Sequence, residues 1–270
     1  MRIFSPAVVA VLVLCAAGCT GEDAGSGCPT GGCELQDSRT LSYSSPASQL
    51  RMMDVLAPRQ DGFWPVVIVA HGGNQRTLDV RDWATGIAQQ GAMTYNVSWP
   101  AGGTGSREAA QRLTCAVAVA VADAADYAAD TSRVVFVGHS LGATVGAAAS
   151  LGGAPASADC AVTEGDSLPD AFVGYEGPYD IAEGDDAADP YAHIGGNPDL
   201  VVRLLHGDVE DTAFYDTPLS VSEAFLEALK DAGYDAELTI VEGGAHYPID
   251  DGTPAQQAVV AQVTELLTTL

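Results

Sequence analysis

The sequence predicts an α/β protein built on one mostly parallel, doubly wound sheet with helices on both faces. Short apolar, β-branched runs recur along the chain, among them Val66–Val69, Val134–Val137 and Val201–Leu205, and they read as strands buried on both sides. Longer segments of helical length separate them, so strand and helix alternate throughout. Several strands end in glycine-containing turns that carry a histidine or a serine, and open α/β sheets place their sites at those carboxyl ends.

At 270 residues and 47% apolar content, the chain can bury one large core behind a short leader. Thirty-six acidic residues stand against 11 basic ones, for a net charge of −25. That balance excludes nucleic acid as a partner and docking on anionic lipid by charge, and it disfavours strongly anionic substrates. It reads as a well-hydrated surface. Lys230 is the only lysine, which leaves lysine-based chemistry a single candidate on a surface helix.

Residues 1–18 have the form of a signal peptide, with Arg2 ahead of the apolar run Ala7–Ala17, which is too short for a permanent span. The run ends Ala16-Ala17-Gly18-Cys19, which resembles the lipobox of bacterial lipoproteins, although Ala16 stands where leucine is usual. The resemblance implies a lipid on Cys19 and a place on the bacterial cell surface or the periplasmic face of a membrane; cleavage near Gly18 without lipid would give a secreted protein. Residues 19–39 are expected to be a flexible tether, since 20–33 are rich in Gly, Ser, Thr and acid. The folded domain is expected over 40–270.

Cys15 leaves with the signal, and Cys28, Cys33, Cys115 and Cys160 remain as an even set for an oxidising compartment. Of the three connectivities, Cys28 with Cys33 and Cys115 with Cys160 are the pairs expected, the first because four intervening residues rich in Gly and Pro close a small loop. No histidine sits at ligand spacing from either pair, so no metal is expected.

The elements follow in order. Leu50–Leu56 alternates as an outer strand and turns at Pro58–Gly62. Pro65–Ala70 is a buried strand ending at His71-Gly72-Gly73-Asn74, whose backbone N–H groups could hold a developing oxyanion. Leu78–Gln90 is a helix, Ala92–Trp99 a strand, and Arg107–Asp130 a long alanine-dense helix. The strand through Val134–Val137 runs into Gly138-His139-Ser140-Leu141-Gly142, and Leu141–Leu151 is a small-residue helix behind it. Gly152–Leu168 is a polar connection and Ala171–Tyr175 a strand. Glu176–Pro198 is the only room for a cap and too short for a large one. Val201–Leu205, Leu219–Ala232, Ala236–Val241 and Pro254–Leu267 complete the chain as strand, helix, strand and helix.

Strand, Gly-x-Ser-x-Gly and small-residue helix together make Ser140 a candidate nucleophile on a sharp turn, with glycines two residues either side where helix and strand approach. A serine hydroxyl needs a base within hydrogen-bond reach, and the base needs a partner to fix its tautomer. Of the five histidines, His246, after the last strand and in a glycine-rich loop, is the expected base. His139 neighbours the nucleophile, His71 and His206 belong to strand-end turns, and His193 lies in the acidic segment.

The four strand-end motifs at His71-Gly72-Gly73, Gly138 to Gly142, His206-Gly207 and Gly244-Ala245-His246 resemble the α/β-hydrolase fold in kind and in order, over residues 45–270. The resemblance is nearest to the compact carboxylesterase and feruloyl or acetylxylan esterase branch, partly through Gly177-Pro178-Tyr179-Asp180. It implies an acid shortly after His206-Gly207. Spacing favours Glu210, while residue type and the following Thr212 favour Asp211, which is slightly preferred; Asp208 comes third. It also implies an oxyanion hole made by the N–H groups of Leu141 and Gly73, with Asn74 as the alternative to Gly73. The function so implied is an exported serine hydrolase that needs no cofactor and cleaves small or medium acyl esters, free or linked to polysaccharide, touching a membrane only through Cys19. A lipase, a peptidase, or a catalytically idle surface-binding relative are the alternatives.

Overall fold

The computed structural model describes residues 28–29, 31–100, 106–162, 168–181, 186–209, 217–247 and 249–270. The signal peptide and Cys19 lie outside the described residues, as do Glu210 and Asp211. The described chain forms an eight-stranded sheet in the order β1-β2-β4-β3-β5-β6-β7-β8. The strands are β1 (Arg39–Ser42), β2 (Met52–Leu56), β3 (Pro65–Ala70), β4 (Met93–Val97), β5 (Asp130–His139), β6 (Ala171–Tyr175), β7 (Val201–Val209) and β8 (Ala236–Ala245). From β4 to β8 across the sheet all neighbours are parallel, and only β2 runs against the rest, antiparallel to both β1 and β4.

Five helices cover the two faces: α1 (Arg81–Gln89), α2 (Arg107–Asp126), α3 (Leu141–Ser150), α4 (Leu219–Asp231) and α5 (Pro254–Thr269). Alternation along β5 divides the core. Val134 and Phe136 join Leu113, Phe172 and Phe225 on the face of α2, α3 and α4, while Val135 and Val137 join Trp83, Val259 and Leu266 on the face of α1 and α5. Ser106 Oγ accepts the Ala109 N–H at the start of α2, and Thr253 Oγ1 accepts the Gln256 N–H ahead of Pro254 at the start of α5. No helix of the described residues is long and apolar enough to cross a membrane.

Several boundaries move relative to expectation. The long helix stops at Asp126, because Ala128 adopts a positive φ of 55° and β5 begins at Asp130. β7 and β8 run on through their glycines and remain paired, Gly207 with Val241 and Val209 with Ala245. The tether expected over 19–39 is docked in its later part. The Cys33 N–H donates to Gln89 O at 2.7 Å, the Gln36 N–H to Ala57 O at 2.9 Å, and Leu35 bridges Pro58. Cys28 and Cys33 are disulfide-bonded beside Gly91, and Cys115–Cys160 ties α2 to the connection after α3, with Cα atoms 5.6 Å apart. This docking lies at the end of α1, the sheet edge opposite the strand ends that carry Ser140 and His246.

The segment expected as cap space is a crossover. Its described residues fill the flank between β6 and β7: Tyr179 stacks on Phe225 at 4.3 Å, Tyr191 meets Phe225 edge-on, and Asn197 donates to Ser150 O and Pro169 O.

Candidate active site

Ser140 stands between β5 and α3 with φ 52° and ψ −125°, a strained backbone for a residue with a side chain. The surroundings hold it there. Its N–H donates to Tyr175 O, and its carbonyl accepts the N–H groups of Ala143 and Thr144. A Cβ on Gly138 would lie 2.5 Å from Ala143 Cα, and one on Gly142 only 2.3 Å from His71 O, so both flanking positions admit glycine alone without displacement.

The Ser140 Oγ–H donates to His246 Nε2 at 3.1 Å, and the His246 Nδ1–H donates to Glu176 Oε2 at 2.7 Å. His246 and Glu176 are both nearly fully buried. The carboxylate is the part not expected from the sequence. Glu176 directly follows β6, at a positive φ of 47°, and its second oxygen accepts the Gly207 N–H at 2.8 Å, so the end of β7 supplies a backbone donor. Thr144 Oγ1 donates to Pro178 O and pins the turn after Glu176 to α3. Asp208, third among the expected acids, is exposed and accepts the Gly243 N–H, while Nδ1 of His246 is taken by Glu176. The signal for Glu176 was an acid set between an apolar strand and Gly177-Pro178.

His246 is held by the last strand and the loop after it. The Tyr175 hydroxyl donates to Ala245 O at 3.0 Å, and burial raises its phenol pKa, which keeps it a donor. Trp83 Nε1 donates to Ile249 O. His139, fully buried, packs 4.9 Å from the His246 ring among Trp83, Tyr175 and Tyr247. Burial holds its pKa well below the usual imidazole range.

The two residues expected to supply oxyanion donors, Gly73 and Leu141, lie next to each other. Gly73 faces Leu141, its open Cβ position 3.5 Å from Leu141 Cδ2, and among the described residues neither N–H has a hydrogen-bond partner. Leu141 opens α3, whose dipole adds partial positive charge there. Asn74 is exposed with φ 57°. The arrangement therefore joins a hydroxyl, a proton acceptor oriented by a buried carboxylate, and two N–H groups with no hydrogen-bond partner among the described residues.

Solved structures with the same arrangement of elements decide the fold. A truncated carbohydrate esterase from gut microbiota superposes with a TM-score of 0.67 at 18% identity, over 88% of this chain and 99% of that one. The propionate-bound thermophilic esterase of the planctomycete Thermogutta terrifontis gives 0.67 at 18%, over 86% and 94%. Esterase 2 of Thermogutta terrifontis phosphorylated by paraoxon gives 0.69 at 18%, over 87% and 95%. The chain has the α/β-hydrolase fold. No protein-family model matches it, and no curated protein sequence does. In the α/β-hydrolase frame, Ser140 occupies the strand-to-helix elbow, His246 the loop after the last strand, and Glu176 the end of β6 rather than of β7.

Proposed function

We propose that the chain is an exported serine hydrolase that cleaves carboxylic esters of small or medium acyl groups, free or carried on carbohydrate. One observation carries the reading: the unbroken relay from Ser140 Oγ through both ring nitrogens of His246 to Glu176. Ser140 attacks the ester carbonyl while His246 takes its proton and then gives it to the leaving alcohol. Water, activated by the same histidine, attacks the acyl-serine and releases the acid. Glu176 fixes the tautomer with Nδ1 protonated and stabilises the imidazolium. The N–H groups of Gly73 and Leu141 take the oxyanion, each worth about 3 kcal/mol by analogy with oxyanion donors in other enzymes. The acyl range and the carbohydrate link are supported by the propionate-bound and carbohydrate-esterase neighbours.

Export is supported by the two disulfides, which persist in oxidising compartments. The anchor rests on the lipobox-like sequence ending at Cys19. Cys19→Ser is expected to shift the protein from the membrane fraction to the soluble one; unchanged fractionation removes the anchor.

The activity is tested with p-nitrophenyl esters from acetate to palmitate. Turnover should be highest on the short chains and lost in Ser140→Ala, which should also lose labelling by a fluorophosphonate probe. Equal rates in the two proteins reject the reading.

A further inference from the structure

The loop that carries Gly73 is held by a set of hydrogen bonds that converge on one side chain, Gln75. The Gly72 N–H donates to Gln75 Oε1 in a short contact, and His139 Nδ1 lies 2.9 Å from the same oxygen. A backbone N–H can only donate, which fixes the amide with its oxygen towards Gly72. His139 must then carry its proton on Nδ1 and donate as well. One oxygen thus receives a donor from the oxyanion loop and another from the last residue of β5, the residue before Ser140.

The planarity of the peptide unit turns this clamp into an aiming device. The unit between His71 and Gly72 is held at both ends, since His71 O accepts Trp99 Nε1–H at 3.1 Å and the Gly72 N–H is on Gln75. In the next unit, Gly72 O accepts His71 Nδ1–H at 2.8 Å and the Gln75 N–H at 3.4 Å. Holding that carbonyl points the trans N–H of Gly73 the opposite way. Gly72 has both its polar groups engaged, so of the two glycines it is Gly73 that can offer a donor, beside Leu141. Gln75 Nε2 is buried with no partner among the described residues, at a cost of about 1–3 kcal/mol.

We propose that Gln75 is a positioning residue which, through Oε1, locks the oxyanion loop to the nucleophile strand and sets the direction of the Gly73 N–H. The proposal rests on the ester-hydrolase reading.

Gln75→Leu keeps the bulk and removes the acceptor, Gln75→Ala removes both, and Gln75→Glu keeps the acceptor. With p-nitrophenyl acetate, Leu and Ala are expected to lower kcat by about 10- to 100-fold, the scale of a misplaced group, with KM within about twofold. The rate of fluorophosphonate labelling should fall in step; the Gly72 N–H and His139 Nδ1–H left without an acceptor also lower the unfolding midpoint, so the rates are compared well below it, where the Leu and Ala proteins are fully folded. Gln75→Glu should keep kcat within about threefold. A Leu variant with kcat within twofold of wild type, a loss that Glu does not rescue, or Leu and Ala proteins that do not fold would overturn it. Wild-type protein that hydrolyses no ester defeats the enzyme reading itself and this proposal with it.

Discussion

Glu176 and His246 are 70 residues apart in the chain and 2.7 Å apart in the fold, and they come from β6 and β8, strands that are not neighbours in the sheet. The end of β7 lies between them and contributes the Gly207 N–H to the other carboxylate oxygen, so three strand ends share one acid. Because Glu176 accepts the hydrogen bond of the single Nδ1–H, Glu176→Gln should lower kcat by about 10³- to 10⁴-fold, as losing the orienting carboxylate does in other triads. Asp211→Asn and Glu210→Gln should stay within about threefold. A larger loss at 211 or 210 than at 176 would move the acid back to the end of β7.

The elbow makes a second prediction. A methyl group at position 142 would sit 2.3 Å from His71 O and 2.7 Å from Ala70 O, backbone atoms that cannot yield without moving β3. Gly142→Ala should therefore destabilise by about 1–3 kcal/mol, the range for overpacking, and carry an activity loss because the displaced strand leads into Gly73. Thermal unfolding and esterase rates measured on one preparation check both, and an unchanged melting temperature would contradict the contact.

The site was legible in the sequence where backbone geometry dictates residue type. Ser140 needs glycine on both sides, and His246 follows a strand through Gly243-Gly244, so local pattern pointed to both. Glu176 left no such mark. Its role comes from register across three strands, and an acid after an apolar run reads equally well as a strand end. The family's spacing drew attention to 210 and 211 instead. The central strands β3 to β6 were legible because both of their faces are buried, whereas β7 and the edge strand β8 mix buried with exposed residues and were read from their apolar positions and their neighbours in the alternation. β1 was not, since Arg39–Ser42 is short, polar and half-exposed and is a strand only through its pairing with β2. The docking of residues 32–36 was hidden for a related reason: backbone bonds to Gln89 and Ala57 hold it, and their donors belong to any sequence.

The Cys115–Cys160 bond closes a loop of 45 residues between α2 and the connection behind α3. Chain-entropy reasoning puts such a crosslink at about 4 kcal/mol in the unfolded state, and measured values run lower. Cys115→Ala with Cys160→Ala should destabilise by about 2–4 kcal/mol and leave kcat nearly unchanged, because the bond does not touch the relay. Denaturant unfolding under matched conditions measures the first, and a large kcat loss in the folded variant would show an unforeseen coupling between α2 and the elbow.

His139 links the site to acid stability. Complete burial depresses its folded-state pKa well below the unfolded value near 6.5, and burial lowers His71 in the same direction. Between those two values the unfolded chain binds more protons than the folded one, so unfolding free energy rises with pH in that window. Above pH 6.5 the effect is absent, and as pH falls below 6.5 stability is lost. His139→Gln keeps an N–H to offer Gln75 and cannot take up the proton. From pH 6.5 to 5, unfolding free energies from denaturant titrations should fall more steeply for wild type than for His139→Gln, by up to about 1.4 kcal/mol per pH unit. The slopes decide it, whatever the variant's absolute stability; parallel slopes would mean that His139 is not held neutral by its surroundings.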